Sequence, residues 1–510
     1  MSLLQHVVVE ARHSLADYAA EARLAPSVQE LEAEASRLVP LLAGRTIWMV
    51  SSTAVGGGVA EMLPTQIAML RDLGIRAEWV VIGSEEEEFF VLTKHLHNLV
   101  HGVGTPALDA GARALFERVN HANAEELRPL LAPNDVLVVH DPQPLPIASM
   151  LARSIPLVTV WRCHIGLDEE NAATRAAWDF FAPWLDAYDH AVFSASEYIP
   201  PRLAGRASVI APGIDPLSEK NAELSLHETV EALARGGLAA APGPLLRAPF
   251  AAQASRAGDD GVFVPAATLE DIGLLTRPIV TQISRWDRLK GWLPLLNAFT
   301  ALKRSSTDVA VAGNDPLQLR RLQLARLVLA GPDPGAVADD PEGLEVLGEL
   351  RAAYAKLPPA VRRDVAFVAL PMTSREENAL MVNALQRAST IVVQNSRREG
   401  FGLTIAEAMW KRVPVLSNSR ACGPRQQIRD GIDGRLIADP EDVHELCETM
   451  VAMLGDQDAR ERWGRSAQRR VQDRFVDTAQ LRHWVQLLLR LPGLAPGARS
   501  RAEKEIRPAP

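Results

Sequence analysis

Short apolar runs alternate along the chain with longer stretches in which apolar residues recur every three or four positions, the pattern of strands and amphipathic helices in turn. The first set of runs predicts strands at Thr46–Ser52, Trp79–Ile82, Asp135–Val139, Leu157–Trp161, His190–Ser194 and Ala207–Ala211. A second set begins at Pro278 with IVTQIS and continues through Val309–Ala312, Leu327–Ala330, Val365–Ala369, Ile391–Val393 and Val413–Leu416. Strands spaced by helical patterns build βαβ units and parallel sheets. The expected fold class is α/β, with two Rossmann-like, doubly wound parallel-sheet domains.

The same pattern sets the boundaries. Residues 1–43 read as an N-terminal helical extension with an apolar stripe in VQELEAEASRLVPLL. The first Rossmann-like domain takes 44–215 and the second 278–475. Between them, 216–277 is rich in Ala, Gly and Pro without clear periodicity, and reads as an insertion or interdomain segment, partly mobile. A C-terminal helix at 476–491 could cross back to the first domain, and 492–510 reads as a disordered tail. The turn-rich stretch Ala330–Gly343 reads as a long loop of the kind that carries a functional edge.

At 510 residues the chain exceeds a single core, so two or three domains are expected. Apolar content of 47% with 23% charge is ordinary for a soluble globular protein, and a net charge of −9 argues against a general nucleic-acid binder. The N-terminus lacks a leader pattern, and no uncharged run would span a bilayer. Cys163, Cys422 and Cys447 lie far apart, which fits reduced thiols in a cytoplasmic protein and no zinc site.

Candidate chemistry concentrates in Asn395–Arg412, NSRREGFGLTIAEAMWKR. A strand feeds the loop Glu399-Gly400-Phe401-Gly402, followed by Leu403 and a helix from Thr404 whose Ile405, Ala408 and Met409 share one buried face. Loop N–H groups and the positive end of a helix dipole then converge where phosphate oxygens are well held. Glu399 and Glu407 would repel phosphate but can accept hydrogen bonds from sugar hydroxyls on either side of it. A diphosphate with a hydroxylated ring at each end, a nucleotide sugar, suits that arrangement. The bland alternative has Glu399 capping a turn and Glu407 solvated on a helix. Upstream, Arg285 and Lys290 flank a strand-to-helix turn from which both could reach a diphosphate, or sit as two surface bases.

In the first domain, Gly56, Gly57 and Gly58 stand between a strand and a helix, where backbone can approach an anion closely, or form a flexible turn. The triplet is not the dinucleotide pattern, which weakens a dehydrogenase reading. His140-Asp141 and Arg162-Cys163-His164 end successive strands, where open α/β sheets place ligands. The acidic run Glu85–Glu88 reads as a solvated loop. Phe90, Lys94, His97 and His101 share a helix face that could line a sugar pocket or the surface. No carboxylate within that helix joins the face, so a metal site there is the weaker reading.

The stretch REGFGLTIAEAMWK resembles the E-x7-E region of retaining glycosyltransferases of family four. Read in order with STAVGGGVAE, VVHDPQP, VWRCHI, IDPLSEKN, QISRWDRLKG and DDPEG, it resembles the trehalose glycosyltransferring synthases. The match runs over most of Arg45–Arg490 and lapses at Leu224–Leu275, at Asn314–Leu327 and at both termini. The resemblance implies a GT-B fold, an acceptor-side and a donor-side domain facing a central cleft. It implies reversible transfer of glucose from ADP-, UDP- or GDP-glucose to glucose, giving α,α-trehalose, with no metal or other cofactor. It implies Glu399 on the transferred sugar together with the Gly400–Leu403 backbone, Glu407 on the ribose, and Arg285 and Lys290 on the diphosphate. Gly56–Gly58 would approach the diphosphate or the sugar, His164 would lie beside the donor glucose, and His140 and Asp141 could face the acceptor. A trehalose phosphorylase or a non-catalytic nucleotide-sugar sensor are the alternatives, and a homodimer is left open. Nucleotide preference and physiological direction are not legible in the chain.

Overall fold

The computed structural model describes residues 3–10, 12–54, 58–152, 154–240, 243–305, 316–333 and 341–495. The chain divides into two compact units, Met1–Gly213 with Arg474–Pro510, and Ile214–Asp473.

In the first unit, β1 (Gln5–His6), β2 (Ile47–Ser51), β3 (Ala77–Val81), β4 (Val136–His140), β5 (Val158–Cys163), β6 (His190–Phe193) and β7 (Ala207–Val209) form one sheet in the order β1-β3-β2-β4-β5-β6-β7. All pairings are parallel except that of β1 with β3. The two-residue β1 carries no readable period and has no counterpart among the expected strands. Every residue of β2, β4 and β5 is buried, as helices on both faces require. Because β3 lies on one side of β2 and β4 on the other, the winding reverses at β2 and β4, whose carboxyl ends flank the crevice such sheets use for ligands. The C-terminal helix Asp477–Arg490 packs on Ala25–Leu38 within this unit. Ser27 Oγ meets Thr478 Oγ1 at 3.0 Å, and Gln66 Nε2 donates to Gln480 Oε1 at 2.7 Å. Pro492–Leu494 makes a short turn, its Gly493 carbonyl taking an Arg45 hydrogen bond; the rest of the expected tail, from 496, lies outside the described residues.

The second unit holds β8 (Ser255–Ala257), β9 (Phe263–Pro265), β10 (Ile279–Ile283), β11 (Arg326–Pro332), β12 (Val365–Leu370), β13 (Ile391–Val393), β14 (Val415–Asn418) and β15 (Gly434–Ile437). Their order is β15-β14-β13-β10-β11-β12-β8-β9, parallel from β15 to β12. Here the winding reverses between β10 and β13, so the loops that leave these two strands lie side by side. The strand expected at Val309–Ala312 lies outside the described residues. The stretch Ala330–Gly343 starts inside β11 and ends in the helix Pro341–Ala355, with 334–340 outside the described residues.

The segment 216–277 has more structure than its composition suggests. Helix Leu226–Arg235 opens on a capping box, with Glu228 N–H donating to Ser225 Oγ and Ser225 N–H to the Glu228 carboxylate. The β8–β9 hairpin extends the sheet antiparallel to β12. Leu233, Phe250, Ala254 and Leu274 share one core with Val328, Met381 and Leu385. Ala, Gly and Pro dilute the apolar period here, yet these few large residues bury completely enough to fix the segment to the second sheet.

Candidate functional site

In the second unit the two segments singled out by sequence leave β10 and β13 and are tied to each other. Asp287 caps a single 3₁₀ turn, Arg288–Lys290, by accepting from Leu289 N–H at 2.7 Å. Gly291 ends it with φ +62°, and a Cβ there would sit 2.1 Å from the Asn395 carbonyl oxygen. A glycine is needed twice over, for the left-handed backbone and for this approach. Arg397 N–H donates to the Leu289 carbonyl at 2.7 Å, and Asn395 Nδ2 to the Gly291 carbonyl at 3.3 Å. The loops are thus held backbone to backbone.

That clamp brings Lys290 Nζ to 2.7 Å from Glu399 Oε2, with each side chain only 14% exposed. Ser396 Oγ, at 3.0 Å, and Gln394 Nε2, at 3.2 Å, also donate to Oε2. Three side chains that follow β13 and β10 therefore fix the position of one carboxylate. Gly402, at φ +81°, caps the helix Leu403–Trp410, and a Cβ there would strike Glu399 Cγ at 2.9 Å. Ile405, Ala408 and Met409 bury the inner face of that helix, as its spacing predicts. Arg285 behaves differently from Lys290: its side chain is 73% exposed, with a loose contact to Asp287 at 3.9 Å. Its carbonyl accepts from Trp292 Nε1, and Trp286 and Trp292 pack ring to ring, so the backbone below it is fixed.

Glu407 is buried rather than solvated. Lys220 Nζ lies 3.6 Å from its Oε1, and Lys411 Nζ donates to its carbonyl oxygen at 3.1 Å. Burial pulls the Lys411 amine down to about 7, against the opposing pull of Glu407. Lys220 lies within IDPLSEKN and Lys411 within REGFGLTIAEAMWK, and neither motif by itself points to a role for them. A cation four residues after Glu407 on one helix face is the only local signal that could have marked Lys411.

In the first unit, Gly56 and Gly57 lie outside the described residues; Gly58 opens the helix Gly58–Asp72 with open space where a Cβ would be. The ends of β4 and β5 bring His140, Asp141 and His164 together. His140 Nδ1 is 3.1 Å from His164 Nε2, and the rings stack at 13° with centroids 5.4 Å apart. His140 Nε2 faces Met49 Sδ at 3.5 Å. Asp141 sits at φ +62°, held there because its N–H donates to the Arg162 carbonyl, its carbonyl accepts from Trp161 Nε1, and its Oδ1 accepts from His164 N–H at 2.7 Å. Such a backbone persists only where its surroundings over-determine it.

Burial dominates the titration of this group. It lowers His140 to about 3 and His164 well below its usual value, with the Arg162 charge acting in the same direction. It raises Asp141 to about 6, which the His164 N–H and Arg162 partly oppose. Both imidazoles are therefore neutral, and their tautomers follow. A thioether can only accept, so His140 Nε2 carries the proton that points at Met49, and its Nδ1 is an acceptor. His164 Nε2 must then be the donor between the rings, which leaves His164 Nδ1 with a lone pair. Arg162 is fully buried, reaching Ser194 Oγ at 3.4 Å while its Nε and Nη1 find no hydrogen-bond partner among the described residues.

On the helix Glu87–Val100, the His97 ring meets that of His101 at 4.8 Å, and burial followed by the neighbouring His101 and Lys94 lowers His97 to about 4. Among the described residues there is no group of three or more His, Cys, Asp or Glu placed to hold a metal ion. None of their helices is long and apolar enough to cross a membrane.

Residues 49–200 match the family model described as the N-terminal domain of trehalose synthase, and 373–470 that of group 1 glycosyl transferases. A trehalose synthase of Thermococcus litoralis is 32% identical over 440 residues, 86% of this chain and 89% of that protein. The trehalose synthase of Rubrobacter xylanophilus is 29% identical over 484 residues, 94% of this chain and 98% of its own. Among solved structures, the UDP-forming α,α-trehalose-phosphate synthase of Burkholderia vietnamiensis superposes with a TM-score of 0.61 at 17% identity, over 90% of this chain and 99% of that one, a likeness of fold. With sheets wound as in those GT-B enzymes and a third of its residues shared with the Thermococcus protein over almost its whole length, the chain belongs to the trehalose synthase family of glycosyltransferases.

Proposed function

We propose that the protein is a retaining glucosyltransferase that joins the glucosyl group of a nucleoside-diphosphate glucose to free glucose, giving α,α-trehalose reversibly. The observation that carries this reading is the Lys290–Glu399 pair at 2.7 Å, seated beside the N-terminus of the helix Leu403–Trp410 where β10 and β13 part. A cation, a carboxylate and the N-terminal end of a helix together offer what a sugar diphosphate needs: counter-charge for the phosphates and an acceptor for sugar hydroxyls.

In this reading Arg285 and Lys290 hold the diphosphate and offset the charge that builds on it as it leaves. Glu399 and the backbone of Gly400, Phe401, Gly402 and Leu403 grip the glucosyl hydroxyls, and Glu407 accepts from the ribose. In the first unit, Gly56–Gly58 approach the diphosphate or the transferred sugar, and His164 Nδ1 accepts from a donor-glucose hydroxyl. His140 orients His164 through the ring-to-ring bond, and Asp141 faces the acceptor. No side chain is assigned as a covalent nucleophile. The acceptor hydroxyl attacks on the face from which the diphosphate departs, a phosphate oxygen takes its proton, and the configuration at the anomeric carbon is retained.

The deciding experiment is proton NMR of the products after incubating the purified protein with glucose and ADP-, UDP- or GDP-glucose. A non-reducing disaccharide with a single α-anomeric signal, formed with one equivalent of nucleoside diphosphate, is expected and names the donor. Glucose 1-phosphate from trehalose and phosphate, with no nucleotide-dependent product, would replace this reading by a phosphorylase. Tight nucleotide-sugar binding without turnover would replace it by a sensor.

A further inference from the structure

The motif IDPLSEKN is Ile214–Asn221, and its loop, Asp215–Ala222, has no role in the reading above. It is one of the most heavily anchored loops of the second unit. Asp215 Oδ1 accepts from Leu217 N–H at 2.9 Å, and the Asp215 carbonyl from Ser218 Oγ at 2.8 Å and Asn221 Nδ2 at 3.0 Å, so the loop is closed on itself. From the helix Arg375–Ala388, Asn383 Nδ2 donates to the carbonyls of Glu219 and Ala222, both at 2.9 Å, and Arg387 Nη2 to that of Ala222 at 3.0 Å. From the end of the Leu403–Trp410 helix, Trp410 Nε1 donates to the Asn221 carbonyl at 3.1 Å and Lys411 Nζ to Asn221 Oδ1 at 3.0 Å. Asn221 is itself 3% exposed.

So much hydrogen bonding on eight residues fixes the backbone at Lys220, between two anchored carbonyls. The Lys220 side chain is 39% exposed and its Nζ lies 3.6 Å from Oε1 of the nearly buried Glu407. A carboxylate this enclosed has lost much of its hydration, and a cation beside it restores a polar partner and fixes its direction. Lys411 Nζ donates to the backbone carbonyl of Glu407, and among the described residues Lys220 supplies the ion pair to its carboxylate.

We propose that Lys220 is a positioning residue of the nucleotide site: it holds the Glu407 carboxylate turned so that it accepts from the two vicinal hydroxyls of a ribose. The inference rests on the donor-site reading of the second unit and deepens it, making recognition of the ribose depend on a loop remote in sequence from both glutamates.

The test measures binding of ADP, GDP and UDP, each beside its 2′,3′-dideoxy counterpart, to the full chain by calorimetry. A carboxylate accepting from ribose hydroxyls should make the unsubstituted protein prefer the ribose form by about tenfold or more. Lys220→Met should cut that preference to within about twofold while leaving affinity for the dideoxy form unchanged, and Lys220→Arg should keep most of it. A Lys220→Met protein with the original preference, or one weakened equally for both forms, overturns the role given to Lys220 and leaves the donor site standing. Failure of the unsubstituted protein to bind any of the three diphosphates overturns the functional reading and this inference with it.

Discussion

Lys290 and Glu399, 109 residues apart, meet at 2.7 Å, with each side chain 14% exposed. A pair this enclosed differs from the exposed ion pairs elsewhere on the chain, where solvent screens most of the attraction. Neither member can be removed without leaving the other charge partly buried. Lys290→Ala should lower kcat about 100-fold or more, the roughly 2.7–4 kcal/mol typical of one charge-stabilising contact. A loss below about tenfold, measured with saturating donor, would sink the role given to Lys290.

Because Ser396 and Gln394 also hold Glu399 Oε2, the carboxylate should keep much of its position when Lys290 goes. Glu399→Ala should therefore abolish turnover as severely as Lys290→Ala while leaving the free nucleoside diphosphate bound. The double substitution should cost clearly less than the product of the two single losses, since the residues act as one unit. Additive losses in a double-mutant cycle, or loss of diphosphate binding in Glu399→Ala alone, would make Glu399 structural.

The His140–His164 contact predicts a fixed pair of tautomers. Nitrogen-15 chemical shifts should show both rings neutral from pH 5 to 8, each protonated on Nε2 and bare on Nδ1. Met49→Leu removes the acceptor that selects this state and should allow the alternative pair. A protonated imidazolium at either position near neutral pH would overturn the assignment and the acceptor role of His164.

Asp141 sets a different pH window. With its pKa raised to about 6, the folded chain binds a proton here that the unfolded chain has released, between about 4 and 6. The stability this group contributes is full below about 4 and is lost as pH rises through 6. Its ability to accept from a sugar hydroxyl runs the opposite way and is gained over the same range. kcat/KM should fall on the acid side with a midpoint near pH 6. Since the Arg162 charge opposes the rise, Arg162→Met should move that midpoint upward, and Arg162→Lys should move it less. An acid limb unchanged in Arg162→Met would refute the coupling.

How much of this was legible before the fold is best judged residue by residue. The strand-loop-helix at Ile391–Trp410 and the turn at Arg285–Gly291 announced themselves through local period and glycine placement, and the parallel sheet then brought them together because β10 and β13 are neighbours. What the chain could not display was pairing across the sheet. The contact of Lys290 with Glu399 is set by Gly291 of one motif lying against Asn395 of the other, which neither motif shows by itself. Lys220 and Glu407 stand 187 positions apart, and the loop that joins them is read only through the carbonyls it offers Asn383 and Arg387. The 216–277 segment was misleading for a simpler reason. Its Ala, Gly and Pro content outweighs one short amphipathic helix, Leu226–Arg235, whose Ser225–Glu228 capping box is a local sign of order absent from the sequence reading above.

Lys411 supplies the last prediction. Burial takes its amine from 10.5 to about 7, so between those values the unfolded chain carries a proton that the folded chain has shed. Stability from this residue should then rise with pH across that window, by up to about 1.4 kcal/mol per pH unit. Below about 7 both states are protonated and the cost of burying the charge is felt in full. Lys411→Met has no such term. Urea unfolding of the two proteins at pH 7, 8 and 9 should show the unsubstituted chain gaining on the variant as pH rises, whatever constant offset comes from the lost bonds to Asn221 and Glu407. Parallel curves would mean that the amine stays charged throughout, and that Glu407 and its surroundings hold two cations rather than one.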